Sequence, residues 1–144
     1  MTEPTLTSAT TVLTLDGARR VLDAALAKAA EMNTPFCIAV TDPSGEPIVT
    51  ARMDGAPRIS AGIALNKAYT VAGFGGMATD AWWNAVKDDP ALANGITHTP
   101  RLIVFGGGVG VFVGRELVGA IGVSGASAEE DAEVARAGAT AIDE

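Results

Sequence analysis

Residues 101–124 read RLIVFGGGVGVFVGRELVGAIGVS, and the punctuation of this stretch decides the fold. Three runs rich in Val and Ile, Arg101–Phe105, Val109–Val113 and Glu116–Ser124, are separated by Gly106-Gly107-Gly108 and by Gly114-Arg115. Short apolar runs bounded by glycine read as strands that pair with their sequence neighbours. Gly114-Arg115 suits a two-residue type II′ hairpin, whose first central residue needs a positive φ. The stretch therefore predicts a three-stranded antiparallel meander.

Upstream, a second hairpin is predicted. Phe36–Thr41 and Pro47–Met53 flank Asp42-Pro43-Ser44-Gly45, whose Asp, Pro and Gly occupy the first, second and fourth positions that a type I turn favours. Around these strands lie helical patterns. Thr14 is a candidate cap for a helix with Ala18, Val21, Leu22, Ala25, Leu26 and Ala29 at amphipathic spacing. A small-residue helix is expected over Arg58–Gly73, where Gly62 suggests close packing, and a shorter one from Thr79 or Asp80 to Val86. Ala91–Pro100 reads as irregular. Ser127 and Glu130 form a capping box for a last helix with Ala132, Ala135, Ala139 and Ile142 on its inner face. The expectation is one α+β domain over residues 14–144, with about five antiparallel strands and helices on the sheet's faces, preceded by a flexible tail over residues 1–13.

Charge and composition narrow the function. A formal net charge of −7 excludes a phosphate-backbone binder, which needs clustered Lys and Arg, so no nucleic-acid partner is expected. Cys37, the single cysteine, excludes an intrachain disulfide and a Cys-cluster metal site, and no His or carboxylate spacing suits a metal ion. No apolar run is long enough for a membrane span, and the start of the chain has no signal-peptide pattern, so a cytoplasmic protein is expected. The abundance of Ala and Gly, with charged residues at 19%, favours burial of surface between copies, that is, a homo-oligomer.

Several phrases resemble the GlcG/HbpS family of haem-degrading or haem-binding domains. They are Ala39-Val40-Thr41-Asp42 with Gly45, Arg52-Met53-Asp54-Gly55-Ala56, Ile63-Ala64 with Lys67-Ala68, and Gly106-Gly107-Gly108-Val109. The last is Val118-Gly119-Ala120-Ile121-Gly122-Val123-Ser124-Gly125, with Asp131 and Ala135. The resemblance runs from about Leu15 to Ile142. It implies a profilin-like fold, oligomers, and a small ligand bound near the glycine-rich turn, haem in some members. This chain has Gly110 where the family often has Pro, and no histidine near its start.

The candidate site residues follow from both lines. Gly106, Gly107, Gly108, Val109 and Gly110 form either a ligand-facing turn with bare backbone N–H groups or a purely structural bend. Lys67, inside a small-residue helix, either packs its stem and pairs with Asp54, or joins Arg52 in holding an anionic substrate. In that second case Asp54 and Lys67 would be acid and base of a small catabolic isomerase or lyase, with Arg52 as anchor. His98 is either a loop residue or a haem ligand beside an apolar pocket drawn from Phe74, Trp82, Trp83, Tyr69 and Met77. Adjacent Trp82 and Trp83 point about 100° apart on a helix, so one is expected in the core and one outside. The leading expectation is a small-molecule-binding oligomer whose ligand is haem or a small organic acid, with enzymatic activity left open.

Overall fold

The computed structural model describes residues 3–143, and its element boundaries carry the local signals that produce them. The Thr14 side-chain oxygen accepts the Gly17 N–H at 3.0 Å and starts α1 (Leu15–Glu31). Asp42 shapes the turn between β1 (Cys37–Thr41) and β2 (Pro47–Arg52), its Oδ1 accepting the N–H groups of Ser44 and Glu46 at 2.8 and 3.1 Å. β3 (Gly108–Val113) and β4 (Glu116–Ser124) join through Gly114-Arg115, with Gly114 at φ 62° as the type II′ geometry demands. The reciprocal Ser127–Glu130 box opens α5 (Ala128–Ala139).

All pairings are antiparallel and the strand order is β2-β1-β4-β3. The two hairpins thus meet at their first and last strands, β1 against β4. Alternation along β1 sends Ile38 and Val40 to one face and Cys37 and Ala39 to the other. The first face carries the larger core, where Phe36, Ile38, Val40, Val111, Ile121 and Val123 pack under α1 and α5. On the opposite face α2 (Ser60–Gly73) lies against Cys37, Ala39 and Ala120. Small side chains let that helix approach closely. A Cβ on Gly122 would strike the backbone of Ala64 and Ala68, so only glycine fits there.

The structure corrects the predicted five strands to four. Arg101–Phe105 joins no ladder. Arg101 adopts φ 65°, and the chain beyond it is tied to the Thr70 hydroxyl, which accepts the Ile103 N–H at 3.0 Å and whose one hydrogen lies between the Asn66 carbonyl at 2.8 Å and the Arg101 carbonyl at 3.3 Å. An apolar β-branched run looks the same whether a strand or a side chain satisfies its backbone.

Four smaller expectations also change. Ala91–Pro100, expected to be irregular, is mostly helical: Asp89 caps α4 (Pro90–Gly95) by accepting the Leu92 N–H, and a short 3-10 turn follows over Ile96–His98. Thr79 lies in a 3-10 turn before α3 (Trp82–Val86), and its hydroxyl accepts the Gly108 N–H instead of capping. Gly62 faces open space, with nothing within 4 Å of an added Cβ. Leu13, assigned above to the tail, is buried, and its N–H bonds the Val118 carbonyl.

Candidate functional site

Lys67 lies on the sheet-facing stripe of α2 with Ala64, Ala68 and Val71, and is wholly buried. Its Nζ donates to the Val123 carbonyl at 2.8 Å and to Asp131 Oδ2 at 2.9 Å, and lies 4.9 Å from the centroid of the Phe105 ring. The other oxygen of Asp131 accepts the Ala126 N–H at 3.0 Å. Burial pulls the Lys67 pKa below its ordinary value, and the bond to and charge of Asp131 oppose that shift. The half-exposed Phe105 ring roofs this pair.

The glycine bend is built around the same ammonium. Gly107, at φ 131°, leaves no room for a side chain: a Cβ would lie 2.5 Å from both Lys67 Nζ and the Val123 carbonyl. A Cβ on Gly108 would meet the Lys67 carbonyl and the Thr79 methyl at 2.8 Å. Gly106 is buried against Ala128, Gly110 is buried against Phe112, and Val109 is half-buried. Beside Gly106 opens a cleft of about 270 Å³ lined by Asp80, Ala128, Glu129, Ala132 and Arg136.

The predicted Asp54–Lys67 pairing is not formed. The carboxylate that Lys67 bonds is Asp131, while Asp54 is exposed and lines a separate depression with Asn33, Thr34, Pro35 and Met53. With its donors directed at Val123 and Asp131 beneath an aromatic ring, Lys67 is a cross-brace between α2, β4 and α5. The signal for Asp131 was present in the sequence. It precedes Ala132 and Ala135 on the inner stripe of α5, where a carboxylate needs a buried partner.

Arg52 ends β2 opposite Cys37 and borders a groove of about 350 Å³ between β2 and α2. The remaining walls are Ile38, Thr50, Ala51, Ala61, Gly62 and Leu65, with Cys37 at the floor. An apolar trough with one charged group at its rim is the usual make-up of a small-ligand site, and ligand pockets span roughly 300–1,000 Å³. Burial pushes the Cys37 thiol up despite the charge of Arg52, so Cys37 offers no thiolate to it.

The aromatic residues divide as expected, with Trp82 buried and Trp83 65% exposed. Phe74 packs edge-on against Trp82 at 4.6 Å between centroids, and among the described residues the Trp82 Nε1 has no hydrogen-bond partner. His98 is exposed on the turn after α4, and among the described residues it has no side-chain hydrogen bond or ring contact. Neither cleft nor groove is lined by a His, Tyr or Met, side chains that commonly hold haem iron.

The chain belongs to the HbpS-like family of haem-degrading proteins, whose family model matches residues 13–140. It is 36% identical over 132 residues to an uncharacterized 15.0 kDa protein from the dhaT–dhaS intergenic region of Citrobacter freundii, covering 91% of this chain and 90% of that one. The crystal structure of Klebsiella pneumoniae protein ORFY superposes with a TM-score of 0.89 at 29% identity, covering 99% of this chain and 98% of the other. A PduOC:heme complex superposes with a TM-score of 0.83 at 28% identity, covering 92% and 96%.

Proposed function

We propose that this protein is a homo-oligomeric small-molecule-binding module, and that its ligand is a small organic acid with an apolar body, held in the groove between β2 and α2. One observation carries this reading: the groove is walled by Ala51, Ala61, Gly62 and Leu65, and Arg52 stands at its rim. A guanidinium forks onto a carboxylate through two parallel hydrogen bonds, and the walls accept the hydrocarbon part. The glycine bend, expected near the ligand, acts in this reading as the seat of Lys67, because its bare backbone accommodates that ammonium.

Tetrapyrrole binding has the PduOC:heme relative in its favour. Against it, within one copy, stand the lack of a His, Tyr or Met lining the groove or the cleft and a cleft volume of about 270 Å³ beside Gly106.

Titration calorimetry with hexanoate, alongside a haemin titration followed at the Soret band, tests the assignment. The expected result is saturable hexanoate binding that Arg52→Gln abolishes while leaving the melting temperature within a degree or two. A stoichiometric Soret shift with no hexanoate heat would move the assignment to a tetrapyrrole.

A further inference from the structure

The solvent side of α2 carries a second basic group in line with the groove. Gly62, Leu65, Asn66 and Tyr69 follow i, i+3, i+4, i+7 spacing and form one stripe of the helix. Arg52 borders the end of that stripe marked by Gly62 and Leu65. Arg101 occupies the other end. Its Nε donates to Asn66 Oδ1 at 3.0 Å, and its guanidinium carbon lies 3.7 Å from the Tyr69 ring centroid.

Among the described residues Arg101 and Asn33 are the two non-glycine residues with positive φ, and Asn33 follows a helix end, where Asn tolerates that conformation. Arg101 stands third in the turn Thr99-Pro100-Arg101-Leu102, closed by the Leu102 N–H on the Thr99 carbonyl at 3.2 Å, where Pro second and a positive φ third are the type II pattern. That turn sets its guanidinium over an aromatic ring with one of its nitrogens already engaged. Among the described residues no carboxylate lies within ion-pair distance of Arg101, and its two terminal nitrogens have no acceptor. A fixed guanidinium with its outer edge open is preorganised for a planar anion.

We infer that the acid bound at Arg52 is a dicarboxylate whose second carboxylate is held by Arg101. This rests on the groove reading above and goes further, by naming the ligand's far end. The two attachment points average four residues apart along α2, about 6 Å of helix rise, which a chain of a few methylene groups crosses. Two linked contacts raise affinity through effective concentration without any new kind of interaction.

Adipate and hexanoate share a six-carbon chain and differ in the second carboxylate. In calorimetry on the full chain, adipate is expected to bind at least about tenfold more tightly than hexanoate. Arg101→Gln removes that advantage and leaves hexanoate affinity within about twofold, whereas Arg52→Gln weakens both acids. Arg101→Lys keeps the charge but loses the fork, so most of the adipate advantage goes with it, and it serves where the Gln variant unfolds. Equal affinity of the two acids for the unmodified protein would overturn the dicarboxylate inference while leaving the groove intact as a monoacid site. Failure of both acids to bind would remove the groove reading as well. Persistence of the adipate advantage in Arg101→Gln would place the second carboxylate elsewhere and overturn the role of Arg101.

Discussion

Lys67 shows how one buried charge organises its surroundings. Its ammonium is bonded to Val123 and Asp131 with no exposed surface, so removing either partner strands the other in a dry interior. Breaking such a pair costs roughly 3–5 kcal/mol, whereas replacing both charges with neutral groups of similar volume is often near neutral. Lys67→Met is therefore expected to lower the urea-unfolding free energy by that amount, and Lys67→Met with Asp131→Leu to recover most of it. Equal losses in the single and double variants would contradict the coupling. The downward shift of the Lys67 pKa sets the sign of a pH effect. Between the lowered folded value and the free-lysine value near 10.4, the unfolded chain binds more protons than the folded one, so stability rises with pH. Unfolding midpoints of the unmodified protein and the double variant, compared from neutral pH to pH about 10, should diverge in favour of the unmodified protein. Two glycines mark the opposite extreme. Gly62→Ala meets open space inside a helix and is expected to stabilise by about 1 kcal/mol, while Gly107→Ala meets Lys67 and Val123 and should destabilise severely.

Among elements, most of those built on local chemistry were legible, α4 with its Asp89 cap being missed, and the segment held by a distant side chain was not. Thr14, the Ser127–Glu130 box and Gly114-Arg115 each act within a few residues, and each forms the cap or turn its spacing predicts. Arg101–Phe105 has the composition of a strand, but its Ile103 N–H is satisfied by the Thr70 hydroxyl, 33 residues away. The same limit governed the site. Lys67 and Arg52 stood out by type, yet the 64-residue separation between Lys67 and Asp131 hid the actual ion pair, and Asp54 was the nearer acid in sequence. Thr70→Val tests the element directly. It keeps the side chain's shape, removes the acceptor for the Ile103 N–H, and is expected to cost about 1–3 kcal/mol. Hydrogen exchange should show Ile103 losing protection while the β1 and β4 amides hold theirs. Unchanged Ile103 protection would mean that the segment is held by something else.

For the whole molecule, the two faces of the sheet are built differently. Large aliphatic side chains fill the space under α1 and α5, and alanines and glycines line the α2 side. The surface leaves Ile59 76% and Trp83 65% exposed, with Phe74 and Phe105 about half exposed. Apolar groups of this size on so small a protein favour self-association. Sedimentation equilibrium at micromolar concentration is expected to give a multiple of 14.5 kDa, and Trp83→Arg to lower it. A monomeric mass in the unmodified protein would defeat this expectation.

The tight seam where Gly122 meets Ala64 and Ala68 has a bearing on how this scaffold can diversify. A helix clamped that closely can neither slide nor swell on its inner side, so a variant with a new specificity must inscribe it on the outward stripe from Gly62 to Tyr69. Randomised libraries confined to those outward positions should keep their fold, whereas the same diversity on the inner face should return mostly insoluble chains.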